Sequence, residues 1–342
     1  MCNIGELVKG KKILVTGGTG TVGQKLVKKL ILSSAEVVRI YSRDEYKQFL
    51  MQEQLELHGQ EKKRFRFFLG DVRDKERLKR AMEDIDIVFH LAALKHVPAC
   101  EYNPSEAVKT NVIGTQNVID CAIEANVSAV VYASTDKAAS PTNTMGASKL
   151  LAERMISSAD QWKGPRNIKF LSVRFGNIIN SRGSVVPVFR RQIARGGSVT
   201  VTDASMTRFF MSVDYAVDLI LNSLAIAHGG ETFVFKMPVL KVGDLARSVI
   251  ELSGKNTDIK IIGLRPGEKM YEELLSEEES ARALDLDKMF IILPYSRDRE
   301  EHQKYYPEAR LAECGTYSSM HEPLMELDDI KAMLNRTCPE CD

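Results

Sequence analysis

The chain has 342 residues, 44% of them hydrophobic, and its 47 basic and 46 acidic side chains give a formal charge of +1 at pH 7. This length allows a large core in one or two domains, and the balanced charge argues against broad electrostatic binding of nucleic acid or an anionic membrane. The sequence has no stretch of about 18 apolar residues that could span a bilayer, and no apolar N-terminal secretion signal. We therefore expect a cytoplasmic protein without nucleic-acid or membrane partners.

Six cysteines are scattered along the chain, which is typical of reduced thiols in a cytoplasmic protein. Cys338 and Cys341 form a C-x-x-C pair near the C-terminus. Half a zinc site or a redox couple would need a second pair or a surrounding βαβ pattern, and the sequence has neither at a suitable spacing. We interpret the pair as part of a frayed tail and predict no metal site.

Apolar, β-rich segments alternate with helical patterns through the first part of the chain. Strands are predicted at 12–16, 37–41, 64–71, 86–93, 129–135 and 169–177, with helical stretches such as 22–34 and 77–85 between them. Short, nearly continuous apolar strands that alternate with helices predict an α/β fold with a doubly wound parallel sheet of the Rossmann type.

Beyond about residue 180 this alternation is lost. Short strand-like segments at 199–202, 232–237, 259–263 and 289–293 are interspersed with predicted helices at 213–227, 242–253 and 326–335. We expect residues 1–180 to form a dinucleotide-binding domain, to which a strand and helix around 205–235 return. Residues 181–342 are expected to form mainly a smaller α/β substrate-binding lobe. The acidic run 276–288 is interpreted as a solvated helix face.

The first predicted strand runs into the sequence GGTGTVG, and a helical pattern follows. Glycines at this spacing permit a tight turn, close approach of the backbone to a diphosphate, and close packing of helix on strand. The helix N-terminus offers free N–H groups and a positive dipole end to the phosphates. The strand–loop–helix context predicts dinucleotide binding. The residues assigned to the cofactor here are Gly17, Thr19, Gly20, Thr21, Val22 and Gly23.

The end of the second predicted strand selects between the two nicotinamide dinucleotides. A carboxylate at this place is typical of NAD, because it accepts a hydrogen bond from the ribose 2′-hydroxyl. Here Ser42 and Arg43 come first and Lys47 follows one turn into the next helix, and this basic arrangement suits a 2′-phosphate. We predict NADP, with NAD as the less favoured alternative because Asp44 and Glu45 are also present.

Two further strand ends are assigned to the cofactor. Asp71 follows the third predicted strand, where its carboxylate and the backbone of Val72 are placed to contact adenine; capping of the next helix is the alternative role. Ala92, Ala93 and Lys95 follow the fourth strand, and Lys95 should reach either the cofactor or the substrate.

Polar residues also follow the fifth predicted strand. Thr135, Asp136 and Lys137 stand at the carboxyl edge of the sheet, where ligands bind in doubly wound folds. The next helix carries Met145 and Lys149 on one face, because they are four residues apart. Singly, these residues would be an ordinary surface turn, a core methionine and a surface lysine. Their common location predicts a catalytic site.

The sequence resembles those of the extended short-chain dehydrogenases/reductases and, more narrowly, the soluble UDP-N-acetylglucosamine 4,6-dehydratases that begin pseudaminic-acid and related amino-sugar pathways. The similarity extends over about residues 10–276, and the segment GTYSSMHEPLMELDDIKAML also resembles the end of these enzymes. Such enzymes often carry Tyr where this chain has Met145, although some relatives carry Met. The segments that carry the resemblance are VTGGTGTVG, SRDEYKQ, GDVRD, HLAALKHVPACEYNPSEAVKTNVIGTQNV, STDKAASPTNTMGASK, VRFGNIINSRGSVVPVF, MTRFFMS and LRPGEKMYEEL.

The resemblance implies an NADP-dependent reaction on UDP-N-acetylglucosamine or a closely related UDP-HexNAc. Hydride leaves C4, loss of the C5 proton expels the 6-hydroxyl as water, and hydride returns to C6, which regenerates NADP. The resemblance assigns Thr135 to the 4-hydroxyl, Asp136 as the acid for the 6-hydroxyl, and Lys137 as the base at C5. Lys137 must be neutral for this role, and we expect burial to lower its pKa. Lys149 is assigned to the nicotinamide ribose, and Thr135 takes over the proton transfer that Met145 cannot perform.

The resemblance also implies a site for the uridine diphosphate end of the substrate. Arginine suits a diphosphate because its planar fork binds bidentately. A homo-oligomer, a hexamer by analogy with relatives, is expected. Asn111 is assigned to the cofactor site, whose geometry it supports. The residues assigned to the nucleotide sugar are Lys95, Arg174, Asn177, Arg182, Val186, Arg208, Arg265 and Glu268.

Two alternative functions stay open. A UDP-HexNAc 4-epimerase or 4-reductase would use the same scaffold, although such epimerases usually keep the Tyr and need no acid and base for C5 and C6. A non-catalytic NADP-binding protein would bind the cofactor without turnover. Retention and inversion of configuration at C5 are both compatible with the sequence.

Overall fold

The computed structural model describes residues 4–55, 63–295 and 299–337. Most of this chain forms one large sheet with helices on both faces, accompanied by a smaller group of helices and short strands. Within these ranges no helix combines the length and the apolar character needed to cross a bilayer. Cys338 and Cys341, interpreted as part of a frayed tail, lie outside the described residues.

In chain order, the described strands are β1 Lys12–Thr16, β2 Val37–Ser42, β3 Phe65–Leu69, β4 Ile87–His90, β5 Ala129–Ala133, β6 Lys169–Arg174, β7 Asn177–Ile178, β8 Val199–Val201, β9 Thr207–Met211, β10 Thr232–Phe235, β11 Val239–Lys241, β12 Ile259–Ile261, β13 Glu273–Leu275, β14 Ala283–Leu286, β15 Met289–Ile292, β16 Arg310–Leu311 and β17 Tyr317–Ser318. Ten of them form the main sheet, in the order β16-β14-β15-β10-β6-β5-β4-β1-β2-β3. The strands from β10 to β3 along this order are parallel, whereas β15, β14 and β16 are added antiparallel.

Helices cover both faces of the sheet, which explains why its central strands are apolar at nearly every position. Ile13 and Val15 of β1 pack into one core and Leu14 into the core on the opposite face. The helices are Ile4–Leu7, Thr21–Ile31, Glu45–Leu55, Lys75–Met82, Val97–Tyr102, Pro104–Ala107, Gly114–Ala125, Thr144–Trp162, Val185–Ala194, Val213–Ile226, Val242–Ser253, Glu277–Ser280, Arg299–Gln303 and Leu327–Thr337, with a π-helical turn at Val108–Ile113 and a 3₁₀ turn at Asp136–Ala138.

The smaller group of elements lies largely after β6. Strands β7, β9 and β11 form one small sheet, and β8 with β12 and β13 with β17 form two strand pairs. Helices Val185–Ala194, Val242–Ser253 and Leu327–Thr337 pack around a core of their own. Strand β10 follows several of these elements in the chain but pairs with β6 in the main sheet.

The predicted fold class is confirmed: the molecule is an α/β protein built on a Rossmann-type, mainly parallel sheet. The segment predicted as one strand at 169–177 is divided, because β7 leaves the main sheet and pairs with β9. The interpretation of 276–288 as a solvated helix face is wrong. This run contains a four-residue helix and strand β14, and Glu279 within it is 2% exposed.

Candidate active site

A cavity of about 740 Å³ opens at the carboxyl ends of the parallel strands. This is the edge at which ligands bind in doubly wound folds, because the loops after the strands converge there. The sequence-predicted residues that line it are Gly17, Thr19, Gly20, Thr21, Val22, Gly23, Ser42, Arg43, Lys47, Asp71, Val72, Ala92, Ala93, Lys95, Thr135, Asp136, Lys137, Met145, Lys149, Asn177 and Arg182.

The glycine loop after β1 has the geometry needed to receive a dinucleotide. Gly17 has φ of +68°, and a Cβ there would lie 2.7 Å from the backbone N of Ala92. A Cβ at Gly23 would lie 2.6 Å from the carbonyl oxygen of Gly17, so the helix can approach the loop this closely only without a side chain. The helix begins after Gly20, and no side chain caps its first N–H groups. These N–H groups and the helix dipole fit a diphosphate.

The end of β2 presents a hydroxyl and two cations to the cavity. Ser42 is 8% exposed and its hydroxyl lies 2.8 Å from that of Thr19. The Arg43 side chain is 56% exposed. Each cation already faces a carboxylate: Lys47 pairs with Asp44, and Arg43 lies 3.8 Å from Asp71. This end of the cavity can therefore offer a hydroxyl and two cations to a polar group of the cofactor.

Asp71 lies at the same end of the cavity but is engaged by a neighbour. Its carboxylate accepts hydrogen bonds from the Arg73 side chain at 2.7 and 3.0 Å and from the Arg73 backbone at 3.0 Å. Burial alone would raise the pKa of Asp71, but Arg73 and Arg43 outweigh it and hold the pKa below its usual value. The alternative role for Asp71 as a helix cap is wrong, since Asp74 caps the following helix.

The turn after β5 holds a buried carboxylate between a hydroxyl and an ammonium group. Oδ1 of Asp136 accepts hydrogen bonds from Thr135 Oγ1 at 2.8 Å, from Lys137 N at 2.9 Å and from Lys137 Nζ at 3.0 Å. Asp136 is 2% exposed. Its second oxygen, Oδ2, is buried and has no hydrogen-bond partner among the described residues. A buried carboxylate oxygen of this kind calls for a donor, which a substrate hydroxyl can supply.

Lys137 lies between two carboxylates. Nζ is 3.0 Å from Asp136 Oδ1 and 3.3 Å from Glu272 Oε1. Burial lowers the pKa of Lys137, but attraction to Asp136 and Glu272 outweighs burial, so the pKa lies above its usual value. The expectation that burial would lower this pKa is therefore wrong, because the sequence gives no sign of the second carboxylate.

Met145 and Lys149 lie on the first turns of helix Thr144–Trp162, as their spacing predicts. Met145 packs with Cys100 and Ala107 in a small apolar cluster at the cavity wall. Lys149 is 6% exposed, and its Nζ donates a hydrogen bond to the Ala133 carbonyl at 2.5 Å. Burial lowers its pKa to about 7. The helix thus presents an apolar group and a readily deprotonated amine to the same cavity.

Arg174 does not reach the cavity, and its assignment to a diphosphate is wrong. The side chain is completely buried and forms ion pairs with Glu153 and Glu279. It also donates to the carbonyl of Leu274 at 2.9 Å. Burial alone would lower its pKa, but the two carboxylates outweigh it and raise the pKa. Val186 is also misassigned, since it is completely buried in the core of the smaller lobe.

Three further residues assigned to the nucleotide sugar lie outside the cavity lining. Arg208 donates to the carbonyls of Thr207 and Lys269, each at 2.7 Å, and pairs with Glu272. Arg265 and Glu268 form a surface turn in which the Glu268 carboxylate accepts from the Arg265 backbone at 3.1 Å. Their assignment rested on arginine type and segment resemblance, neither of which fixes where a side chain points.

Two other assigned residues contact the glycine loop or the sheet edge. The guanidinium of Arg182 donates to the Thr19 carbonyl, and its backbone N lies 3.2 Å from Thr21 Oγ1. Arg182 therefore lies at the phosphate loop. Asn111 is 1% exposed and bonds both the N–H and the carbonyl of Leu94, at 2.8 and 3.1 Å. It fixes the segment after β4 and lies behind the cavity wall.

Glu272 is the functional candidate that the sequence did not single out. It lies just before β13, is 4% exposed, and burial raises its pKa. The same segment is bonded to the residues that follow the Asp136–Lys137 turn. Lys269 donates to the Ser140 carbonyl, and Ser140 donates to Glu273. The residue types of the segment MYEEL are common on protein surfaces, so no local sequence signal predicts that Glu272 lies beside Lys137.

The sequence matches a known family over most of its length. Residues 13–294 match the family described as polysaccharide biosynthesis protein. The chain belongs to this family. The resemblance to the extended short-chain dehydrogenases/reductases with nucleotide-sugar dehydratase relatives is confirmed.

Several similar proteins carry names that differ in activity. A UDP-N-acetylglucosamine 4,6-dehydratase (inverting) from Campylobacter jejuni is 42% identical and covers 84% of both chains. A UDP-glucose 4-epimerase from Rickettsia conorii is 39% identical over 95% of both chains. An uncharacterized membrane protein from Methanocaldococcus jannaschii is 49% identical over 88% of this chain and 91% of its own. The solved structure of Pen from Bacillus thuringiensis is 45% identical, with a TM-score of 0.89, covering 96% of this chain and 98% of its own.

Proposed function

We propose that this protein is an NADP-dependent UDP-N-acetylglucosamine 4,6-dehydratase, a hydro-lyase that yields a UDP-4-keto-6-deoxy-HexNAc and regenerates its NADP. One observation carries the proposal. The buried Asp136–Lys137 pair lies beside Thr135 in the cavity that the glycine loop also lines, whereas the place of a phenol is taken by Met145. An acid and a base side by side are what an elimination requires and what a simple hydride transfer at C4 does not.

The residues around the cavity divide into groups that fit the parts of NADP. The N–H groups at the start of helix Thr21–Ile31 would hold the diphosphate. Ser42, Arg43 and Lys47 would hold the 2′-phosphate, which favours NADP over NAD. Lys149 would hold the nicotinamide ribose. When bound, NADP would accept hydride from C4 of the sugar and return it to C6.

The Asp136–Lys137 pair can supply both proton transfers of the elimination. One proton passes from the Lys137 ammonium to the Asp136 carboxylate, which leaves a neutral amine and a carboxylic acid without changing the net charge. The amine then takes the C5 proton while the acid protonates the 6-hydroxyl, so water leaves and the pair is ionic again. The free Oδ2 of Asp136 is the oxygen available to the substrate hydroxyl. We expect the neutral pair to form when the bound sugar displaces water, because removal of water disfavours charged groups.

Thr135 is the third residue of the proposed catalytic group, beside Asp136 and Lys137. Its hydroxyl donates to Asp136 Oδ1. Because that carboxylate already carries the proton from Lys137, the 4-hydroxyl proton would pass through Thr135 to water in the cavity. The proton count is restored when a proton is delivered to C5 as hydride returns to C6. The sugar would lie against Asn177 and Lys95, which line the cavity. Met145 has no proton to exchange, and its role is to keep this wall apolar.

The experiment is incubation with UDP-N-acetylglucosamine and NADP in deuterated water, followed by mass spectrometry and NMR of the nucleotide sugar. Loss of one water and deuterium at C5 support the proposal, and the NMR spectrum gives the C5 configuration. Asp136→Asn and Lys137→Met should abolish water loss while NADP binding persists. The control Glu277→Gln changes an exposed carboxylate and should turn over normally.

A 4-epimerase is the second candidate, since curated epimerases are also similar to this chain. It would give a product of unchanged mass from the same incubation. Bound NADP with unchanged substrate would instead indicate a non-catalytic NADP-binding protein. The expected homo-oligomer, a hexamer by analogy, is tested separately by light scattering.

A further inference from the structure

Lys137 contacts two carboxylates that come from distant parts of the chain. Asp136, its neighbour in the chain, holds Nζ at 3.0 Å from the main-sheet side, and Glu272 reaches it at 3.3 Å from the segment before β13. The Asp136 contact follows from chain adjacency. The Glu272 contact depends on how the later segment packs, and therefore requires its own explanation.

The segment that carries Glu272 is fixed against residues 140–143, which follow the Asp136–Lys137 turn. Asn143 donates to the Gly267 carbonyl at 3.2 Å. On the other side, the Glu272 backbone N–H donates to Ser319 Oγ at 3.0 Å and its carbonyl accepts from Ser319 N at 2.9 Å. These bonds fix the backbone that carries the Glu272 carboxylate, and so limit how far the carboxylate can move from Lys137.

The charges around Glu272 balance. Lys137 and Arg208 are the cations that face it, with Arg208 Nε at 3.7 Å, and Asp136 is the other carboxylate. Arg208 cannot serve as its full partner, because its guanidinium already donates to backbone carbonyls at Thr207, Lys269 and Met270. Two buried carboxylates and two cations are neutral together, and removal of one charge leaves another without compensation.

We propose that Glu272 is a positioning residue for Lys137, which holds the amine over the reacting carbon and stabilises the ammonium formed when Lys137 takes the C5 proton. This inference rests on the proposed dehydratase function. In the elimination, the proton taken from C5 makes Lys137 an ammonium group. A carboxylate at 3.3 Å favours that ammonium, so once the Lys137 proton has passed to Asp136, Glu272 makes the amine a stronger base toward C5.

The direct test measures the pKa of Lys137 without turnover. Competitive acetylation across a pH series, read by mass spectrometry of the peptide that contains Lys137, reports this pKa in the wild type, in Glu272→Gln, in Glu272→Asp and in the control Glu277→Gln. We expect the pKa to fall by about one unit or more in Glu272→Gln, because an opposite charge is lost. Glu272→Asp keeps the charge farther away and should give an intermediate value, and the control should match the wild type.

The kinetic test separates positioning from general support of the fold. Glu272→Gln should lower kcat about tenfold or more with little change in KM, and the limb of the pH profile that reports Lys137 should move to lower pH. Glu272→Asp should restore part of both. The inference is overturned if the pKa of Lys137 is the same in the wild type and in both Glu272 variants. If Glu272→Gln does not fold, the Lys137 pKa in Glu272→Asp, compared with that of the wild type, decides the question. Wild type that binds NADP without releasing water would instead overturn the proposed function, and the acetylation result would stand apart from it.

Discussion

Replacement of Lys149 by Met should stabilise the substrate-free protein at neutral pH. The two side chains are similar in length, but Met carries no charge into a site that is 6% exposed. Burial lowers the pKa of Lys149 to about 7. In the unfolded chain the ammonium is fully hydrated and the pKa returns to about 10.4. The folded protein therefore binds fewer protons than the unfolded chain between these values, and its stability rises with pH in that window.

The size of the effect follows from the two pKa values. A separation of about 3 pKa units disfavours the folded state by about 4 kcal/mol at pH 7. The variant loses the hydrogen bond to the Ala133 carbonyl, worth about 1 kcal/mol. It also loses the contact of Nζ with the Tyr132 ring at 4.1 Å, worth about 1 kcal/mol more. We expect a net stabilisation of about 2 kcal/mol at pH 7.

Urea unfolding of the wild type and Lys149→Met, followed by circular dichroism at pH 7 and pH 9, measures this difference. The advantage of the variant should shrink by about 2 kcal/mol between these pH values, because the cost of deprotonating the lysine on folding falls as the pH approaches the unfolded pKa of about 10.4. Lys28→Met, at an exposed position, controls for the loss of any lysine. A stability difference that does not change with pH would refute the reasoning. The same variant should lose activity, since the proposed contact with the nicotinamide ribose is gone.

Three other substitutions test separate parts of the structure. Gly23→Ala places a Cβ 2.6 Å from the Gly17 carbonyl oxygen, so dinucleotide affinity measured by calorimetry should fall about tenfold or more, and unchanged affinity would contradict the loop geometry. Arg43→Ala should weaken NADP binding by about 2 kcal/mol and leave NAD binding nearly unchanged; an equal effect on both would argue against a 2′-phosphate contact. Glu279→Gln breaks the buried pair with Arg174 and should lower the free energy of unfolding by about 3 kcal/mol in urea, whereas a loss no larger than that of an exposed Glu→Gln change would show that the pair contributes little.

The fold could be predicted from the sequence because its signals are local. The strands of the first part are apolar at nearly every position, and each is followed by a turn or a helical pattern, so β1, β2, β4 and β5 lie within a few residues of their predicted positions. The prediction for the acidic run is wrong because charge composition does not report long-range pairing. Glu279 is buried against Arg174, which is far away in the chain.

Some residues of the candidate site could be predicted from local sequence signals and others could not. Residues at strand ends, such as Gly17, Ser42 and Asp136, could be placed because the sheet brings all its carboxyl ends to one edge. From the end of β6 onward the predictions are mixed: Asn177 and Arg182 line the cavity, whereas Arg174 turns into the protein. Glu272 contacts Lys137 from a segment without a motif of its own, because its position depends on how the smaller lobe packs.

Strand β10 lies inside the main sheet, so the sheet cannot be completed until most of the chain has left the ribosome. Until then β6 has a neighbour on one side only, and its other edge exposes a row of backbone N–H and carbonyl groups that would pair with any extended chain. Pairing of β10 with β6 and then with β15 removes that edge. The nascent protein therefore passes through a long interval in which it is prone to self-association, and we expect its yield on expression to depend on chaperone supply and on translation speed through this region.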